Sequence, residues 1–173
     1  MGRMAEGRWR LTAHAAAVML ALAALTACTP DPTPTPSPTG FASDEEAFAA
    51  AEDTYRAYID ASNAQTDGGS ADPLEFLTGE ALEDAIESEN ELVQEGLTLT
   101  GPLEILEVAH LAADRTTATI RVCLDLSKSR VLDSSGADVT PTGRAERFSV
   151  DVGVIWTGSE PLIATSEAGA PSC

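Results

Sequence analysis

The sequence is poor in positive charge, in histidine and in cysteine, and each shortage removes a class of chemistry. Only 10 Lys and Arg stand against 28 Asp and Glu, for a formal net charge of -18. A surface of that sign repels phosphate backbones, so nucleic acid is excluded as a partner and direct adhesion to anionic lipid is disfavoured. The chain has 2 histidines, His14 and His110, and no Cys-x-x-Cys spacing. A zinc site therefore has no ligand set, and neither a metal nor any other cofactor is expected. No glycine-rich phosphate loop occurs, which leaves nucleotide chemistry without support. A Ser-His-Asp set would have to use His110, and no Gly-x-Ser-x-Gly elbow is present. Long apolar runs are scarce too. The one run, Leu11 to Ala27, is broken by Thr12, His14 and Thr26. It is short for a transmembrane helix, which needs about 20 residues.

What is present at the N-terminus is an export signal. Arg3, Arg8 and Arg10 precede the apolar run, and small residues close it. The tetrad Leu25-Thr26-Ala27-Cys28 resembles the lipobox of bacterial lipoproteins. That resemblance implies removal of residues 1–27 as a signal peptide, a diacylglyceryl group on the Cys28 thiol, and a place on the extracytoplasmic face of the cell membrane. Two or three acyl chains, at about 0.8 kcal/mol per buried methylene, hold a protein firmly where one does not. Residues 28–42 then read as a lipidated cysteine and a stalk. Every second residue from Pro30 to Pro38 is proline, which favours polyproline II and buries no core. At about 3.1 Å per residue, the segment TPDPTPTPSPTG spans roughly 37 Å.

Residues 43–173 remain as a single domain of about 130 residues, long enough for a real core. Its charge is uneven, because Arg56 is the only base between residues 43 and 95. With Cys28 lipidated, Cys123 and Cys173 form an even pair. Outside the membrane such a pair tends to oxidise. The bridge would tie a central strand to the end of the chain; two free thiols are the alternative.

The first half of the domain patterns as helix and the second as strand. Ser43-Asp44-Glu45-Glu46 is a capping box, and Phe48, Ala51, Tyr55, Tyr58 and Ile59 recur at helical spacing. The helix should fade near Asp67-Gly68-Gly69. Asp72-Pro73 opens a short turn. Thr78 is expected to cap another helix, with Leu82, Ala85, Ile86 and Val93 as its apolar stripe and Gly96 as its stop. Leu97 to Thr100 alternates, and Leu103 to Leu111 is β-prone with a bulge. From Thr116 to Leu126, Ala118, Ile120, Val122, Leu124 and Leu126 point one way, while Thr119, Arg121, Cys123 and Asp125 point the other. Phe148, Val150, Val152, Val154 and Trp156 make a second inward row, and Leu162 to Ser166 a last short strand.

Helices followed by antiparallel strands give an α+β fold. The order, size and sheet pattern resemble the nuclear transport factor two-like (cystatin-like) fold, a cone of curved antiparallel sheet with helices packed on it. The lipobox, the Thr-Pro stalk, the Val122-Cys123-Leu124-Asp125 strand, Trp156 and Cys173 also resemble small actinobacterial lipoproteins of that fold. Members of the fold hold small ligands, and some are isomerases that pair a carboxylate base with a tyrosine donor. Tyr55 and Tyr58 are the candidate pocket residues here, and Asp125 or Asp151 the candidate carboxylates. By alternation, however, both acids face away from the apolar rows. Acids around Glu80 to Glu95, or the Asp133–Asp138 loop, could attract a cation, but neither matches a calcium-loop pattern. No catalytic residues are assigned. The expected function is that of a non-enzymatic anchored domain that binds an envelope protein or a small-molecule ligand. A small isomerase- or hydratase-like enzyme and a purely structural surface protein are the alternatives.

Overall fold

Ser43 lies in extended conformation and its Oγ accepts the Glu46 N–H at 3.2 Å, while Glu46 Oε2 accepts the Ala42 N–H at 2.8 Å. The carboxylate thus reaches one residue further back than in the usual capping box. From this start α1 runs over Asp44–Thr66. Ala47, Ala51, Tyr55 and Ile59 are all buried on it, at a constant spacing of four, and the two alanines let the helix approach the sheet closely. The computed structural model describes residues 40–169 and Cys173. The signal segment, the tetrad Leu25, Thr26, Ala27 and Cys28, and the stalk up to residue 39 lie outside the described residues.

A short 3-10 helix, Pro73–Phe76, follows α1, and Asp72 Oδ1 caps it by accepting the Leu74 N–H at 2.9 Å. Helix α2 spans Gly79–Glu95. Thr78 occupies its N-cap position, but the hydroxyl makes no capping hydrogen bond, which corrects the expectation of a side-chain cap. The position is set by the sheet instead. Thr78 N–H donates to Ile163 O at 2.8 Å, and Leu77 bridges Ile163 in parallel. Gly96 (φ 66°) ends α2 in the left-handed region that glycine adopts without strain. The Gly96 N–H reaches Val93 O and the Leu97 N–H reaches Leu92 O, which closes the helix in a Schellman arrangement.

Six strands complete the domain: β1 Thr98–Thr100, β2 Glu104–Ala113, β3 Thr117–Asp125, β4 Arg130–Leu132, β5 Arg147–Trp156 and β6 Pro161–Ala168. The fold is α+β, with two helices against a four-stranded antiparallel sheet of order β2-β3-β5-β6 and a small β1-β4 sheet beside it. The small sheet had not been expected as a separate unit. Strand β2 carries two bulges where one was anticipated, between Ile105 and Glu107 and between His110 and Ala112. The inserted residues, Leu106 and Leu111, are 45% and 44% exposed, so the bulges are what break the alternation in this strand. The last strand extends beyond its expected limits of Leu162 and Ser166 at both ends.

The two inward rows are opposed as the alternation requires. Leu124 faces Phe148, Val122 faces Val150, Ile120 faces Val152 and Ala118 faces Val154. Ile120, Val122, Val152 and Val154 are fully buried beneath the helices. At the C-terminal end of α1, Asn63 clamps the chain entering β2. Its amide donates to Leu103 O at 3.0 Å, and its Oδ1 accepts the Leu103 N–H at 2.8 Å.

The core also takes in Phe41, which lies ahead of Ser43 and is 2% exposed. Its ring meets Trp156 edge-on at 5.5 Å, and its N–H donates to Arg115 O at 2.7 Å. Gly40 is required next to it, because a Cβ there would sit 2.1 Å from Arg115 O. Phe41→Ala is expected to cost about 3–5 kcal/mol, as for other buried aromatics cut to alanine. A denaturant midpoint unchanged from the parent chain would show that Phe41 is not part of the folded unit.

Candidate functional site

The groups that sequence reasoning proposed for chemistry lie on two sides of one sheet. Tyr55 and Tyr58 project from α1 on the helical side, with ring centroids 5.8 Å apart. Tyr55 is 4% exposed. Burial, and then the neighbouring Tyr58, push its phenol well above the ordinary value of 10.0. Burial raises Tyr58 as well, against a hydrogen bond with Ser62 that lowers it.

Asp125 and Asp151 are on the far side of the sheet. Asp151 accepts from two nitrogens of the Arg121 guanidinium, Nε and an Nη, at 2.6 Å each. Those hydrogen bonds hold its carboxyl below the usual carboxylate range. Asp125 accepts the Ser127 N–H at 2.8 Å and lies 3.5 Å from Arg147. Ser127, and then Arg147, hold it low. The alternation of β3 and β5 had placed both acids opposite the apolar rows, and the sheet keeps them there. No tyrosine–carboxylate pair of the isomerase type is assembled from these residues.

His110 is engaged elsewhere. Its ring stacks on Phe48 at 4.1 Å with an interplanar angle of 4°, and Nε2 lies 2.7 Å from Glu52 Oε1. Arg56 in turn stands 3.5 Å from Glu52. Phe48, Glu52 and Arg56 recur every four residues on α1, so this cluster joins the helix to β2. The i, i+4 spacing was the signal for it, and sequence reading passed over it because the strand register of His110 was hidden by the bulges.

The Asp133–Asp138 loop uses its acids locally. Asp133 Oδ1 accepts the Ser135 and Ala137 N–H groups and the Ser135 hydroxyl, and Asp138 Oδ1 accepts the Thr140 N–H. Among the described residues, no three His, Cys, Asp or Glu side chains come together as a metal ion would need.

The outer face of the sheet is crossed by the disulfide. Cys123 is bonded to Cys173 with a Cα–Cα distance of 5.8 Å and a sequence separation of 50. Cys123 stands opposite Ser149 in the β3–β5 ladder. The Gly169 N–H donates to Ser149 O at 2.9 Å. A side chain there would meet Ser149 Oγ at 2.5 Å.

Among the described residues, two open surfaces stand out on the helical half. A groove of about 600 Å³ runs between α1, the 3-10 helix and the β5–β6 turn, where Asp53, Glu75 and Glu160 stand around Ala57, Phe76 and Leu162. The second surface is the outer part of α2. Of its expected stripe, Leu82 and Ala85 pack on the core, but Ile86 is 43% and Val93 77% exposed. The sequence grouped all four as one apolar stripe, since periodicity reports an apolar face and not what covers it.

Among solved structures, this chain is similar to the crystal structure of the intermembrane space region of the chloroplast protein ARC6. The TM-score is 0.50 at 18% identity, over 70% of this chain and 95% of that one. The likeness is one of fold. No protein-family model and no curated protein matches the chain.

Two predictions follow from the buried phenol, the paired acid and the bridge. Tyr55 is raised in the folded state, so its contribution is full below 10.0 and is lost as pH climbs past that value. Asp151 is lowered, so its contribution is full above 3.8 and is lost as pH falls through the depressed value. Thermal melts against pH should therefore fall less steeply on the alkaline side in Tyr55→Phe, where the raised Tyr58 remains, and flatten on the acid side in Asp151→Asn; profiles parallel to the parent's would refute the assignment. Reducing the disulfide should lower stability by about 2–4 kcal/mol, toward the figure that chain entropy gives for a loop of this size. Identical denaturation curves with and without reductant would show that the bridge contributes nothing.

Proposed function

We propose that this chain is a lipoprotein held through Cys28 on the extracytoplasmic face of a cell membrane, and that its α+β domain serves as a binding module rather than a catalyst. The stalk lifts the domain off the lipid, and the partner is an envelope protein or a small-molecule ligand. The observation that carries the binding part is the exposure of Ile86 and Val93 on a helix that is otherwise strongly acidic. Single exposed apolar side chains are ordinary, but Ile86 and Val93 share one line of the helix, and a continuous apolar strip left in solvent marks an interaction surface. The anchor rests on the Leu25-Thr26-Ala27-Cys28 tetrad behind a basic, then apolar, leader.

The finer reading of the fold belongs to the same proposal. Helices before the strands and bulges in β2 and at the β5–β6 pairing support a nuclear transport factor two-like cone, since bulges bend and twist a sheet. The resemblance to actinobacterial lipoproteins adds the lipobox and the stalk.

Cell fractionation of the full chain tests the anchor. The parent protein should sediment with membranes in a lipid-modified form, and Cys28→Ser should lose the modification and be misprocessed or released. Unchanged retention and mass of the Cys28→Ser protein would overturn it. For the binding role, crosslinking the anchored chain in intact cells should yield a discrete adduct with an envelope component. A chain that remains free at every exposed position would remove that role.

A further inference from the structure

Helix α2 carries its apolar stripe past the edge of the core. Leu82, Ile86 and Val93 are four and seven residues apart and therefore lie along one line of the helix. The line starts against the core at Leu82 and runs into solvent at Ile86 and Val93. Glu83, Ile86, Glu87, Asn90, Glu91 and Gln94 border an open hollow of about 600 Å³ on this side.

The charge around that line is of one sign. Between Gly79 and Glu95 the helix has seven acids, Glu80, Glu83, Asp84, Glu87, Glu89, Glu91 and Glu95, and no base. None of them makes an ion pair among the described residues. Glu83, Glu87, Glu91 and Glu95 repeat every four residues, a spacing at which like charges destabilise a helix. Glu91 and Glu95 also stand near the C-terminal end, where the helix dipole disfavours negative charge. The helix is nevertheless regular to its glycine stop. A cationic partner would relieve all of these repulsions at once.

Charge also chooses among occupants. A second copy laid on this face would set acid against acid, and an anionic lipid surface would be repelled in the same way. A helical segment with apolar residues flanked by Lys or Arg matches both features. We propose that the Ile86–Gln94 part of α2 is a docking surface for a basic amphipathic helix of another protein. Ile86 and Val93, about 10 Å apart along the axis, are its apolar contacts, and Glu83 and Glu89, three or four positions from them and so flanking the same line, pair with the partner's bases. The proposal rests on the reading of the domain as a binding module.

The test uses the full chain in non-ionic detergent and two synthetic helical peptides followed by fluorescence anisotropy. Both peptides carry Leu at every third or fourth position; one has Lys beside the leucines and the other Glu. The Lys peptide alone is expected to bind, and to weaken about tenfold or more when salt is raised to about 0.5 M. Val93→Asp and the double variant Glu83→Lys/Glu89→Lys should each lose about tenfold or more in affinity. Asp60→Lys/Asp67→Lys, in α1 and at its C-cap, makes the same change in net charge and should bind as the parent does. Denaturant midpoints confirm that each variant is folded, and Val93, being largely exposed, is a position where folding is not threatened.

Equal binding of the two peptides, equal loss in the α1 and α2 charge variants, or self-association through Val93 would each overturn the proposal. Envelope crosslinks that form outside α2 and survive Val93→Asp would overturn this site while leaving the binding module standing. Loss of both the peptide preference and the envelope adducts would remove both.

Discussion

The pairing of β3 with β5 is the constraint from which the rest of the domain follows. Its register sets Ile120 against Val152 and Val122 against Val150 on one face, and Arg121 against Asp151 and Cys123 against Ser149 on the other. A slip of one residue would bring a guanidinium and a carboxylate under the helices and turn the valines out to water. The apolar side receives α1, whose Ala47 and Ala51 allow close approach and whose Tyr55 and Ile59 fill the space beyond them. The polar side carries the Gly169–Ser149 backbone bond and the bridge to Cys173. One ladder thus decides where burial, ion pairing and covalent closure occur.

That ladder was also the most legible part of the sequence, because period-two alternation in β3 and β5 is a direct image of a sheet with two unlike faces. The caps were legible for a similar reason. Ser43, Asp72 and Gly96 each have a chemistry that suits a helix terminus, although Thr78 shows that a cap residue can hold its place without its hydroxyl. Elsewhere the pattern carried less. Leu106 and Leu111 disturb the alternation of β2 because each is an inserted residue, and a bulge is a property of pairing rather than of one strand. Asn63 bonds a backbone forty positions away, a relation that no local spacing encodes. Phe41 read as the end of a proline-rich stalk, since composition does not reveal that a single ring turns inward.

For the candidate site, alternation alone separated the aspartates from the tyrosines, and the sheet keeps them apart. What it could not disclose was coverage. Leu82 and Val93 have the same chemistry and share one line of α2, yet one packs on the core and the other is 77% exposed. The difference arises from the length of the helix relative to the sheet beneath it, a quantity fixed only by the tertiary structure. The acids of α2 reinforce the contrast, since a helix needing only to be wetted gains nothing from a like-charge repeat at every fourth residue.

The burial of Phe41 bears on how force enters this molecule. Any pull transmitted through the residues before Gly40 arrives first at a ring that is 2% exposed and lodged against Trp156. Its backbone is held to the β2–β3 turn through Arg115. Phe41 is thus the point at which such a pull would first meet packed structure, shared between the ring against Trp156 and the backbone bond to the β2–β3 turn.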